Sequence, residues 1–284
     1  VTIPSGVVSI SDSATAPSIS ALDDNDLVFR VAASDAYQGV ALAELARERG
    51  FETVAVTYAN DDYNAGLAAA FVKAYEEMGG EVVANQAHEP EKASYRAEAA
   101  TLGGAGADAL ALFAYYGSSG ITIIRNMLEL GLMDTFMGAD GMVHEQLIAA
   151  IGAENLQKAY FTTAASDEST NAFQSFEAEA EANDVKPSAP YVAHGYDATF
   201  LLALAIEQAG ADERGLVSDA LREVANAPGE VIIPGEWEKA KRLIAEGTDI
   251  NYIGATGEIE FDENGDVAGL YSVNTVSEDG TWET

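Results

Sequence analysis

The chain has no cysteine, which removes disulfides, thiol nucleophiles and thiolate metal sites and leaves the compartment open. It is also poor in positive charge: 14 Lys and Arg stand against 47 Asp and Glu, a formal net charge of −33 over 284 residues. A field of that sign repels nucleic-acid phosphates and anionic membrane surfaces, so neither is expected as a partner. The acids are spread through helix-like stretches such as Glu76-Glu77 and Glu177 to Glu181 and read as a solvated coat, one that suits a habitat where salt screens self-repulsion. No long apolar run is present. The longest, near Phe200 to Ile206, falls well short of the ~20 residues that span a bilayer. The first residues lack the basic-then-apolar order of an export signal, which has been removed or was never there.

Histidine is scarce as well. His88, His144 and His194 are far apart, and no two have the spacing of a helical metal pair, so no metal site is expected. No Gly-x-Ser-x-Gly elbow occurs, and Gly103-Gly104-Ala105-Gly106 precedes a strand, which makes it a turn and not a phosphate cradle. Asp262 to Asp266 lacks the ligand spacing of an EF-hand loop and reads as a turn. With no nucleophile, metal cluster or nucleotide fingerprint, neither catalysis nor a cofactor is expected.

What is present is apolar residues, 48% of the chain, enough for a substantial core divided over two lobes. Leu27 to Val31 reads as a strand and Tyr37 to Arg49 as a helix closed by Gly50. Strands at Thr53 to Tyr58, Glu81 to Ala84, Ala109 to Phe113 and Thr135 to Met137 alternate with helices through Leu67 to Met78, Tyr95 to Leu102 and Ile121 to Leu130. That alternation predicts an α/β fold with a parallel, doubly wound sheet. Its ligand-holding loops would be Tyr58 to Tyr63, Ala114 to Ser119 and Gly138 to Gly141. Ala159 to Thr163 adds a strand, Asn171 to Ala182 and Pro190 to Ala209 add helices, and a lobe crossing is placed near Pro187. Helices Glu213 to Val224 and Gly235 to Ala245 follow. Glu258 to Phe261 and Ala268 to Val276 are then expected to form a hairpin around Asn264-Gly265.

Candidate binding residues sit at strand ends. The turn after Val7-Val8, from Ile10 to Pro17, offers short hydroxyls and backbone N–H groups, an edge suited to a carboxylate. Tyr63, Tyr116 and Asp140 each follow an apolar strand. Plainer roles stand beside these: Thr15 as a local cap, Asp140 as a helix N-cap, Tyr63 and Tyr116 as packing residues, Tyr191 as part of a helix core.

Several segments together carry a family resemblance: Ser9-Ile10-Ser11-Asp12-Ser13-Ala14-Thr15-Ala16-Pro17, Phe29-Arg30 with Ser34-Asp35, the Tyr63 loop, Phe136-Met137-Gly138-Ala139-Asp140-Gly141, Gly195-Tyr196-Asp197-Ala198 and the segment from Gly257 to Gly269. Over essentially its whole length the chain resembles the type I periplasmic solute-binding proteins of ABC importers, in the leucine/isoleucine/valine branch. The resemblance implies two Rossmann-like lobes joined by crossovers, lobe one from 1–33 and 187–250, lobe two from 34–186 and 251–284. It further implies a protein that does not catalyse. Instead it captures a branched-chain or related hydrophobic amino acid by hinge closure outside the cytoplasm, in the periplasm, and delivers it to a membrane permease. The positions that match ligand contacts are Ser13, Ala14 and Thr15 for the carboxylate and ammonium, Asp140 for the ammonium, and Tyr63, Tyr116 and Tyr191 for the aromatic lining. Asp140 stands where a glutamate is often found. Members begin with βαβ units that do not precede Val1, on the order of 60 to 100 residues at ~30 per unit, so the chain looks like a fragment with an incomplete first lobe. Two rivals remain: a ligand-sensing regulatory domain of the same fold for an amide, urea or other small polar solute, and an α/β enzyme with chemistry at the sheet edge.

Overall fold

The unbroken apolar run Ala109–Phe113 forms a fully buried central strand, the pattern expected where helices cover both faces of a parallel sheet. The structure is a computed structural model that describes residues 2–210 and 214–284. It divides into unit 1, Val1–Thr15, Ile19–Ser34 and Ala164–Leu270, and unit 2, Ala16–Ser18, Asp35–Thr163 and Tyr271–Thr284. Unit 1 opens with β1 (Ser9–Ser11) and β2 (Val28–Arg30), paired in parallel. Unit 2 then alternates α1 (Asp35–Glu48), β3 (Thr53–Ala59), α2 (Asp62–Glu77), β4 (Glu81–His88), α3 (Arg96–Gly103), β5 (Ala109–Phe113), α4 (Ile121–Glu129), β6 (Phe136–Gly138), α5 (Glu145–Ile151) and β7 (Ala159–Ala165). The chain returns to unit 1 for α6 (Asn171–Ala182), α7 (Val192–Ala209), α8 (Val217–Ala225), β8 (Glu230–Ile232), α9 (Trp237–Ala245), β9 (Ile250–Gly254) and β10 (Gly257–Glu258). It ends with β11 (Leu270–Val276) and β12 (Trp282–Glu283) in the unit 2 sheet.

That sheet has seven strands in the order β12-β11-β7-β6-β5-β3-β4. From β4 to β7 the neighbours are parallel, as the alternating pattern predicts. Side chains of β5 alternate between two cores: Leu110 and Leu112 pack with residues of α3, α4 and α5, Ala109, Ala111 and Phe113 with residues of α1 and α2. The second helix starts where the sequence supplies a cap, the Asp61 carboxylate accepting the Asn64 N–H at 2.8 Å. Gly39 lets α1 and α2 approach, since a Cβ there would lie 2.6 Å from the Phe71 nitrogen. After β3 the chain lays β4 on one side of it and β5 on the other. The order therefore reverses between β3 and β5, and open α/β sheets bind ligands outside the carboxyl ends of strands at such a point.

In unit 1, helices α7, α8 and α9 share an apolar core with β2, β8 and β9, and β8, β9 and β10 form a second sheet. The crossings expected at 187 and 250 lie elsewhere, after Thr163 and after Leu270. The physical reason is burial: Phe173, Phe176 and Ala180 of α6 pack with Ala193 and Ala255, while Ile250, Tyr252, Ile259 and Phe261 belong to the α7–α8 core, which ties 164–186 and 251–270 to unit 1. Residues 16–18 go the other way because the Pro17 ring lies against Gly66, where a Cβ would approach to 2.7 Å.

The hairpin expected around Asn264-Gly265 does not form. Its turn is present, with the Asp262 N–H donating to the Asp266 carbonyl at 2.9 Å, but β10 pairs with β9 and β11 joins the unit 2 sheet. Instead of being set by a strand ladder, the turn is closed by the Asp262 carboxylate, which accepts from the Asn264 and Asp266 N–H groups, and it docks on β2 through Arg30. The helix expected from Glu213 starts outside the described residues; α8 itself runs Val217–Ala225.

Candidate functional site

Three loops of unit 2 meet at the carboxyl ends of β3, β5 and β6. Asp140 follows β6 in a single helical turn, Asp140–Met142, and is half-buried. Its Oδ1 accepts from the Tyr63 hydroxyl and from Gln38 Nε2, each at 3.1 Å. Gln38, buried on α1, also donates to the Thr162 carbonyl at 3.1 Å and to Thr162 Oγ1 at 3.2 Å, which fixes the amide and so the carboxylate. Sequence reasoning did not find Gln38 or Thr162, because a polar residue on an amphipathic helix and a hydroxyl inside a strand carry no signal without the partner they meet.

Tyr63 and Asp140 are thus brought together; Tyr116 is not. Its ring stacks on His144 with centroids 4.1 Å apart and packs against the core that holds Leu110 and Leu112. Tyr115 takes the place beside Tyr63, centroids 5.5 Å apart. The cause is strand parity: position 115 continues the alternation of Ala109, Ala111 and Phe113 toward the core on which Tyr63 packs, while 116 continues that of Leu110, Leu112 and Ala114. Counting along β5 supplies the signal that singles out Tyr115. The turn itself is pinned, with the Ser118, Ser119 and Gly120 N–H groups all donating to the Tyr115 carbonyl. Ser119 is further held by the buried His88, whose Nε2 lies 2.9 Å from Ser119 Oγ and whose Nδ1 lies 2.9 Å from Thr57 Oγ1. Burial pushes the His88 imidazole down to about 4. Burial also raises the Tyr115 phenol above its ordinary value, and the charges of Asp61, Asp140 and Asp35 add to that rise, so the hydroxyl stays protonated.

In unit 1 the Ser13–Thr15 turn follows β1. The N–H groups of Ser13 and Ala14, expected to be open, donate to Ser11 Oγ at 3.3 and 3.0 Å, a local hydroxyl turn. Ser13 Oγ donates to Asp12 Oδ1 at 3.2 Å, and Thr15 is buried. Arg30, fully buried, donates from Nη1 to the Ala14 carbonyl at 3.3 Å and pairs bidentately with Asp266 at 2.6 and 2.9 Å, which ties the turn to β2 and to the 262–266 loop. Tyr191 precedes α7 with a left-handed φ of 61°, and its ring lies 5.3 Å from that of His194. His194 is 6% exposed, its Nδ1 finds no hydrogen-bond partner, and burial pushes it down to about 4 against the opposing charge of Asp12. Asp12 lies close to the first turn of α7, since a Cβ on Gly195 would be 3.7 Å from its Oδ2. Unit 1 therefore gathers Asp12, Ser13, Tyr191 and His194 around the start of an 18-residue helix. Spacing in the sequence offers His194 only as a metal-ligand candidate, whereas its place beside Tyr191 follows from the single helical turn between them.

The profile described as "Receptor family ligand binding region" matches residues 5–279. The chain is similar to the chemotactic signal transduction system substrate-binding protein BasB of Halobacterium salinarum, 26% identical over 265 residues, covering 88% of this chain and 59% of that protein. It is also similar to the leucine-, isoleucine-, valine-, threonine-, and alanine-binding protein of Pseudomonas aeruginosa, 28% identical over 224 residues, covering 76% of this chain and 58% of the relative. The chain thus spans less than two thirds of the length of either. Among solved structures, the leucine-binding protein LivK from Thermotoga maritima superposes with a TM-score of 0.80 at 26% identity, covering 99% of this chain and 73% of the other.

Proposed function

The chain belongs to the receptor family of ligand-binding regions, whose similar proteins are receptors and substrate-binding proteins and not enzymes, and on that premise we propose that it captures an amino acid for an ABC importer. The ligand is a branched-chain or related hydrophobic amino acid, bound outside the cytoplasm by hinge closure and passed to a membrane permease. In unit 2 Asp140 takes its ammonium with Tyr63 as aromatic lining, a role that Tyr116, stacked on His144, does not share, and in unit 1 the turn Ser13, Ala14 and Thr15 takes its carboxylate with Tyr191 as lining. The observation that carries this reading is the Asp140 carboxylate, fixed by Tyr63 and Gln38 beside an exposed aromatic ring at the topological switch point. In the turn of unit 1 a carboxylate would compete with Ser11 Oγ for the N–H groups of Ser13 and Ala14.

The likeness to a chemotactic substrate-binding protein supports a second reading, a binding protein that reports the same class of ligand to a signalling partner. Calorimetric titration with a panel of amino acids, amides and ureas tests the ligand class. Saturable binding of leucine, isoleucine or valine is expected, and binding confined to amides or ureas would overturn the amino-acid reading. Pull-down with the liganded protein, from membranes that contain either a permease or a transducer, separates the two partners.

A further inference from the structure

The turn after β5 is held from two directions. Its own backbone closes it, through the three N–H groups that meet at the Tyr115 carbonyl, and the end of β4 reaches across to it. The Glu91 N–H donates to the Ser118 carbonyl at 3.3 Å, and His88, the last residue of β4, lies 2.9 Å from Ser119 Oγ. His88 is itself fixed in place. The Tyr95 ring packs edge-on against it with centroids 5.4 Å apart, and Tyr95 is anchored by its hydroxyl on the Glu89 carbonyl and by its N–H on Asn126 Oδ1. Because β4 is the edge strand beyond β3, the contact from His88 to Ser119 passes over the end of β3 and spans the point where the strand order reverses.

The protons in this contact can be assigned. Thr57 Oγ1 donates to the Gln86 carbonyl at 3.0 Å, and a hydroxyl has a single hydrogen to give. The same oxygen lies 2.9 Å from His88 Nδ1, so in that pair the ring is the donor. Burial keeps the imidazole neutral, which leaves a lone pair on Nε2 to accept the Ser119 hydroxyl. The result is a chain of one polarity, from Ser119 to His88 to Thr57 to the Gln86 carbonyl. All three side chains are buried, where a donor or acceptor left unpaired is strongly unfavourable, so reversing any one link disturbs the others.

We propose that His88 is a positioning residue for ligand capture: its Nδ1–H tautomer, set by Thr57, accepts the Ser119 hydroxyl and holds the 115–120 loop beside Tyr63 and Asp140 in its binding conformation before the ligand arrives. This rests on the proposed amino-acid site for the identity of the ligand, whereas the hydrogen-bond chain stands on geometry. A loop ordered in advance has less freedom to lose on binding, and the difference is gained in affinity.

The test uses the full chain with isotopically labelled histidine, as wild type and as Ser119→Ala, Thr57→Val and Thr57→Ser. Long-range proton–nitrogen correlation NMR at neutral pH should place the His88 proton on Nδ1 in wild type. Thr57→Val removes the acceptor for that proton, so the ring should change to the Nε2–H tautomer and donate to Ser119 Oγ. Thr57→Ser keeps the hydroxyl and should keep Nδ1–H. In calorimetric titration, leucine should bind Ser119→Ala about three- to tenfold more weakly than wild type, and Thr57→Ser within about twofold. Hydrogen exchange of the Ser118, Ser119 and Gly120 amides should quicken about tenfold in Ser119→Ala while that of β5 stays as it is. A wild-type proton on Nε2 overturns the inference, as does Nδ1–H retained in Thr57→Val. Leucine affinity unchanged in Ser119→Ala overturns it as well, and so does a loss of affinity without faster exchange in the loop. If wild type binds no amino acid, the functional reading fails, and the tautomer and exchange measurements still decide whether His88 holds the loop.

Discussion

Replacing Asp140 by Asn removes one charge and little else, because an amide oxygen can still accept from the Tyr63 hydroxyl and from Gln38, both 3.1 Å from Oδ1. A hydrogen bond to a charged group contributes about 1.5–3 kcal/mol net and a neutral one about 0.5–1.5. The substitution should therefore cost leucine binding about 1–1.5 kcal/mol, roughly five- to tenfold at ~1.4 kcal/mol per decade. Asp140→Ala, which deletes the acceptor, should cost about ten- to a hundredfold. The control is 4-methylpentanoate, which has the leucine skeleton and no ammonium: its affinity should be the same for wild type and Asp140→Asn. Calorimetry on the two proteins and two ligands closes a cycle whose coupling term isolates the carboxylate–ammonium contact from packing. Thermal unfolding without ligand should differ by less than about 1 kcal/mol, since the internal acceptor survives. Equal losses for both ligands, or no loss for leucine, would refute the assignment of Asp140 to the ammonium.

Further outcomes follow from the buried groups. His88 and His194 are held near 4 by burial, below the ~6.5 of an unfolded chain, so the folded state binds fewer protons than the unfolded state between those values. Their contribution to stability is therefore complete above pH ~6.5 and is lost as pH falls toward ~4. Proton NMR of the imidazole C2–H should show both rings neutral from pH 8 to 5, and a midpoint above pH 6 for either would contradict their burial. Asp266→Ala strands a fully buried guanidinium and should lower the unfolding free energy by about 3–5 kcal/mol in urea titration. A midpoint equal to wild type would show that Arg30 finds another partner.

Local chemistry made much of this protein legible before folding. Ala109–Phe113 reads as a buried strand because its residues are all apolar, and α2 reads as a helix because Leu67, Phe71, Ala74 and Met78 recur at helical spacing. Asp140 and Tyr63 could be placed at strand ends for the same reason: the alternation of elements tells which loops follow which strands. Contacts between distant residues were not legible. The 262–266 turn is local and was foreseen, but whether its flanks pair with each other depends on β9 and on the unit 2 sheet, which compete for them. The unit boundaries follow from where Phe173, Phe176 and Tyr252 find apolar partners, as much as 82 positions away in the case of Phe173 and Ala255. The choice between Tyr115 and Tyr116 lies between these cases, since parity along β5 contains it but the two cores give it meaning. Gln38 belongs wholly to the second kind. Nothing in Asp35–Glu48 announces that an amide on its buried face will clamp a carboxylate 102 positions later, because hydrogen-bond partners far apart in the chain meet only when packing has brought their backbones together.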